Sequence, residues 1–238
     1  ANIYARRGRQ VIAIDADPDA NLASALGFSP AAVAKITPIS EMKALIEERT
    51  GAKPGGYGAM FKLNPRVDDI PEEYSIQERG IRLLVMGTVD KGGSGCVCPE
   101  SVMLKTLVTH LLLQRNEVLI MDMEAGIEHL GRATAGAVDA FIVVVEPGQR
   151  SLQTARTVAR LADDLGVRRV FVVANKVRNE GDREFVRTQL SDMHILGYLP
   201  ASAKAIEADL AGVTVFDVDP TLVAEAEKIA DQLEQLRP

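Results

Sequence analysis

The 238-residue sequence lacks tryptophan altogether, and aromatic residues make up only 4% of it. It therefore has few of the flat side chains on which proteins stack single-stranded nucleic acid. Positive charge is not in excess either, with 27 Lys and Arg against 33 Asp and Glu and a net charge of −6. A chain of that sign has no electrostatic attraction for a phosphate backbone or an anionic membrane surface. No apolar run approaches the roughly 20 residues of a membrane span, and the first residues show no basic-then-apolar signal peptide. These absences predict a cytoplasmic protein with no nucleic acid and no membrane partner. Cysteine is scarce too. Cys96 and Cys98 are the whole complement, and at that spacing a disulfide would close a strained ring, so a thiol or metal role is expected.

Hydrophobic residues reach 47% and charged residues 25%, the balance of a soluble globular domain rather than a disordered chain. No linker interrupts the sequence, so one domain over 1–238 is expected. ANIYARR followed by Gly8 has the pattern of a helix end with its glycine stop, and QVIAI the pattern of a strand. The pattern further predicts a short helix at 21–26, an amphipathic helix at 40–49, and loop with a short hairpin over 51–75. A strand IRLLVM, a Gly-rich turn at 91–98 and a helix opened by Pro99 follow. Strands are then predicted at 117–121, 140–145, 169–174 and 194–198. They alternate with helices near 130 and at 149–165, 181–190, 202–210 and 220–236. Runs such as FIVVV and VFVVA are apolar at every position, which implies burial on both faces. The expected fold is α/β, with a single doubly wound, mainly parallel sheet covered by helices on both sides.

In such sheets ligands gather beyond the carboxyl ends of the strands, and the polar clusters of this sequence fall there. Asp15-Ala16-Asp17-Pro18-Asp19 follows QVIAI directly. Three carboxylates in five residues repel one another unless a cation or a positioned water gives them a partner; the alternative is a solvated turn whose acids cap the next helix. Asp122 ends EVLIM, as a magnesium-directed Walker B acid would, and Glu124 and Gly126 follow where a γ-phosphate would be approached. Asn175 follows VFVVA, and its amide, with Pro200 on the next loop, could hold a purine edge; a plain loop asparagine is the alternative. Cys96-Val97-Cys98 puts two thiols on one face of an extended segment. A two-fold axis beside them would gather four soft ligands suited to Zn²⁺, Ni²⁺ or Cu⁺, and two reduced, partly buried cysteines are the alternative. His110 and His194 are expected to be structural, and His129 is not expected to be a ligand.

VIAIDADPDANLASALG, LIMDMEAGIEHLGRAT, VVVEP and VVANKV together resemble the deviant-Walker P-loop ATPases of the MinD, ParA and nitrogenase iron protein group. TPISEMKALIEERTG, KGGSGCVC and NKVRN bring the chain nearest to the CooC-type accessory ATPases of carbon monoxide dehydrogenase. The resemblance implies a MinD-like fold and an ATP-dependent homodimer that loads nickel into carbon monoxide dehydrogenase, or into the related acetyl-CoA synthase. It implies that Asp17 orients the attacking water and that Asp15 supports it. Asp122 would serve the magnesium, 124–131 would form the second switch, and Asn175 and Pro200 would hold adenine. Cys96 and Cys98 would bind nickel or zinc at the dimer interface. The competing function is a positioning or partitioning ATPase of the MinD or ParA kind without a metal role. An electron donor like the nitrogenase iron protein is disfavoured, because that protein draws its cluster ligands from two separated positions and not from one Cys-x-Cys.

The group's phosphate loop, Lys-Gly-Gly-x-Gly-Lys-Thr, occurs nowhere among these residues. Lys91-Gly92-Gly93-Ser94-Gly95 copies its first five positions, but Cys96 and Val97 stand where the phosphate-binding lysine and the magnesium-binding hydroxyl are needed. The expectation is of a domain without its first strand and phosphate loop. A polypeptide of these 238 residues is accordingly expected to bind ATP poorly and hydrolyse it hardly at all.

Overall fold

A computed structural model of the chain describes residues 1–17, 19–53, 60–87, 99–113, 118–123 and 138–236. They fall into two compact units, Ala1–Glu124 and Ala125–Pro238.

The first unit is built on a four-stranded sheet in the order β2-β3-β1-β4, with β1 Val11–Asp15, β2 Ile76–Glu78, β3 Ile81–Val85 and β4 Val118–Asp122. β1 pairs in parallel with both β3 and β4 and is buried at all five positions, as its unbroken apolar run requires. β2 is an antiparallel edge on β3. The two are joined through Arg79 and Gly80, both at positive φ, the conformation of a tight hairpin turn. A hairpin lies at 76–85, and the described residues of 51–75 form the helix Ile70–Glu73 and no strand; 54–59 lie outside the described residues. The expected helix at 40–49 is divided: a 3-10 turn at Ile39–Glu41 and a helix at Lys43–Thr50 are separated by Met42, whose ψ of 66° is not helical.

The second unit carries a three-stranded parallel sheet, β5 Phe141–Val145, β6 Val170–Val177 and β7 His194–Pro200, in that order. Alternate residues of β6 enter two different cores. Val172 and Ala174 pack with Leu152 and Ala155 of the helix Gln149–Asp164 and with Val186 of the helix Glu180–Gln189. Phe171 and Val173 pack on the opposite face with Leu196, against Ile229 and Leu233 of the helix Pro220–Gln235. Gly197 permits that last approach, since a Cβ there would stand 2.6 Å from Ile229 Cγ1. β6 is covered on both faces, the doubly wound α/β arrangement. β5 is not: Val143 and Val145 pack on the side of the helix Gln149–Asp164, whereas Ile142 and Val144 are 43% and 60% exposed, so the two-sided burial expected of FIVVV is not met. The expected helix near 130 and the Gly-rich turn at 91–98 lie outside the described residues.

Candidate nucleotide and magnesium site

Register alone brings the first acids together. Asp15 ends β1 and Asp122 ends β4, and the two are direct partners across the parallel pair. The main chain continues the pairing beyond the strands: Ala16 N donates to Asp122 O at 2.9 Å, and Met86 N donates to Asp15 O at 2.8 Å. Two acidic side chains therefore leave neighbouring strands at one sheet end, with Asp17 two residues further along.

The three acids have different surroundings. Asp15 is only 1% exposed, and both its oxygens accept main-chain hydrogen bonds, Oδ1 from Asp17 N at 3.2 Å and Oδ2 from Leu22 N at 2.9 Å. It closes the loop and caps the helix Leu22–Leu26 from seven residues upstream, while the residue at the cap position, Asn21, makes no side-chain cap bond. The capping alternative is thus realised at Asp15. Asp17 is half-buried and its Oδ1 accepts from Asp19 N at 2.8 Å. Asp122 carries an exposed side chain, yet its carboxyl is pushed above the ordinary aspartate value, first by loss of water at the sheet end and then by the charges of Asp15 and Asp17. A carboxyl in that state gains from a nearby cation.

Among the described residues, no three His, Cys, Asp or Glu side chains converge closely enough to hold a metal ion by themselves. Magnesium takes one or two carboxylates and completes its shell with water and phosphate oxygens. Asp122 fits as such a ligand.

Asn175 and Pro200 lie at corresponding ends of β6 and β7, where Val177 pairs with Pro200 and Ala201 N donates to Val177 O at 2.9 Å. Asn175 lies within β6 and not after it, because the strand runs on to Val177 through an irregularity between Ala174 and Val177. The next residue, Lys176, has φ +56°, and its N–H donates to Asn175 Oδ1 at 2.9 Å. Its ammonium meets Glu146, just beyond β5, at 2.6 Å. Glu146 and Lys176 carry no local sequence signal for this contact. His194 opens β7 and meets the Phe171 ring edge-on at 5.5 Å, a packing role. Glu124, Gly126, His129, Cys96 and Cys98 lie outside the described residues.

Comparison with known proteins agrees with this architecture. The profile of the CobQ/CobB/MinD/ParA nucleotide binding domain matches residues 1–216. The carbon monoxide dehydrogenase accessory protein CooC of Rhodospirillum rubrum is 46% identical over 239 residues, covering 100% of this chain and 90% of that protein. An uncharacterized ATP-binding protein of Methanocaldococcus jannaschii is 43% identical, covering 99% and 90%. Among solved structures, the MinC:MinD cell division complex of Aquifex aeolicus aligns with a TM-score of 0.66 at 20% identity, covering 99% of this chain and 87% of that one. A ParA family ATPase of Chlorobium tepidum aligns with a TM-score of 0.67 at 14% identity, covering 99% and 90%; at such identities the likeness concerns the fold. The chain belongs to the CobQ/CobB/MinD/ParA nucleotide-binding family, and within it to the CooC-type accessory ATPases.

Proposed function

We propose that this protein is an ATP-hydrolysing, homodimeric maturation factor that delivers nickel to carbon monoxide dehydrogenase, or to acetyl-CoA synthase, in the cytoplasm. The observation that carries the proposal is the 46% identity, over the whole chain, to a carbon monoxide dehydrogenase accessory protein. The family profile spans residues of both compact units, in keeping with a single nucleotide-binding domain over 1–238.

The roles divide according to the surroundings of each acid. Asp17, with one oxygen engaged in its own loop, is the group that orients the attacking water. Asp15, with both oxygens accepting main-chain bonds, fixes the loop that presents Asp17. Asp122 is the magnesium acid; when bound, the ion offsets charge on the phosphates and lowers the repulsion among these carboxylates. Glu124 and Gly126 belong to the switch that senses the γ-phosphate, and Asn175 and Pro200 hold the adenine. Cys96 and Cys98 of two protomers receive nickel, or zinc, as cargo at the dimer axis. ATP binding closes the dimer and hydrolysis reopens it.

The MinD and ParA structures share the fold at 14–20% identity, whereas the accessory function draws on a relative at 46% identity. Among the described residues no helix is long and apolar enough to cross a membrane. The test is activation of nickel-free carbon monoxide dehydrogenase at limiting Ni²⁺. The native protein with MgATP should accelerate it, and Asp17→Ala or Cys96→Ser should not. Equal acceleration with ADP, or by Asp17→Ala, would show that ATP hydrolysis is not coupled to delivery.

A further inference from the structure

Behind the ends of β6 and β7 stand two buried carboxylates to which the roles above assign nothing. Lys176 occupies the left-handed region at φ +56°, uncommon for a residue with a side chain, so the chain turns sharply immediately after Asn175. The segment that leaves this turn is held by Asp182, which is 8% exposed. Asp182 accepts from Arg178 N at 2.9 Å and from Arg178 Nε and Nη2, each at 2.8 Å. These bonds keep its carboxyl down at about 2. They are not needed to cap the helix Glu180–Gln189, because Asn179 Oδ1 already does so by accepting from Asp182 N at 3.0 Å. All three bonds accepted by Asp182 act on the strand exit.

The β7 side has the same construction. Asp219, 4% exposed, caps the helix Pro220–Gln235 with Oδ1, which accepts from Thr221 N and Leu222 N at 3.1 Å. Its Oδ2 accepts from Ser202 Oγ, two residues beyond Pro200. The loop after Pro200 is thereby tied to a long helix, just as the exit after Asn175 is tied to the helix Glu180–Gln189. The two exits are joined to each other by Ala201 N donating to Val177 O.

We propose that Asp182 and Asp219 are positioning residues for the nucleotide base: they fix Asn175 and the Pro200 loop in the mutual register at which the pair reads adenine. The proposal rests on the assignment of Asn175 and Pro200 to the base. Neither carboxylate bonds a residue assigned above to the magnesium or the γ-phosphate, so disturbing this register is expected to act on base selectivity.

The experiment is calorimetric titration of the native protein with ATP and with GTP, alongside thermal melts. Asp182→Asn and Asp219→Asn should each weaken ATP roughly three- to tenfold, the fold-change of one lost hydrogen bond. GTP should change less than about twofold, so the preference for ATP falls. Should Asp182→Asn fail to fold, Arg178→Ala removes the two side-chain bonds of the clamp from the solvent side, its side chain being 69% exposed, while the main-chain bond stays, and should lower the preference in the same direction. Equal weakening of both nucleotides, or an unchanged preference, would overturn the proposal. Asn175→Ala separates the two levels. If it leaves the ATP preference intact, the base assignment fails and the positioning role with it; if it removes the preference while the aspartate variants do not, only the positioning role fails.

Discussion

Replacing Asp15 by alanine should damage the fold, whereas replacing Asp17 should damage the chemistry. Asp15 is buried and accepts two main-chain N–H bonds, from Asp17 and Leu22. In Asp15→Ala the Leu22 N–H at the start of a helix loses its cap, a loss of about 0.5–2 kcal/mol. The Asp17 N–H is left unsatisfied in a half-buried loop at a cost of about 1–3 kcal/mol. Relief of repulsion with Asp122 acts in the opposite direction, so the expected net loss is about 2–4 kcal/mol, or roughly 5–15 °C in Tm for a chain of this length. Asp15→Asn keeps one acceptor and removes the charge, and should lose only about 1–2 kcal/mol. Among the described residues Asp17 accepts one bond, from Asp19 N in an exposed turn, so Asp17→Ala should cost less than about 1 kcal/mol while abolishing hydrolysis. The assay is urea unfolding followed by far-ultraviolet circular dichroism, since the sequence offers no tryptophan signal. Equal stability losses in Asp15→Ala and Asp17→Ala would refute this division of roles.

Other outcomes follow from the same geometry. Gly87→Ala should destabilise by about 2–4 kcal/mol in denaturant melts: φ is +73°, and the new Cβ would lie 2.7 Å from Pro38 Cβ and closer still to Ser40 Oγ. The Asp122 carboxyl, raised by desolvation and by Asp15 and Asp17, should titrate above an ordinary aspartate in carboxyl ¹³C spectra and move down in Asp15→Asn; no movement would remove the repulsion between them. For Asp182 the folded pKa is depressed to about 2, so the stability it contributes is complete above the unfolded aspartate value and is lost as pH falls from there through about 2. Asp182→Asn should flatten that part of the acid-unfolding curve.

These strands are legible because their residues are apolar without alternation: VIAI, FIVVV and VFVVA correspond to β1, β5 and β6 within a few residues of the predicted bounds, although β5 buries only one of its faces. β2 was not legible, because Ile76–Glu78 is three residues long and two of them are polar, too short for any period to show. Nor was the extension of β6 through Asn175, since the left-handed Lys176 follows from contacts with Asn175, Glu146 and the segment beyond, which no local propensity encodes. Asp15, Asp17 and Asp122 were picked out by their places after apolar strands, and parallel register then made Asp15 and Asp122 neighbours. What spacing could not show is that Asp15 serves the main chain with both oxygens. The helix-start patterns Asn179-x-x-Asp182 and Asp219-Pro220 do carry a capping signal, but Asp182's grip on Arg178 and Asp219's on Ser202 depend on tertiary placement.

Nickel stoichiometry tests the central claim most directly. The native protein with MgATP should be titrated with Ni²⁺ and weighed by native mass spectrometry. The expected result is a dimer carrying one nickel ion per two chains, with the ion lost in Cys96→Ser and in Cys98→Ser. A nickel-free dimer, or nickel retained undiminished after both substitutions, would contradict it.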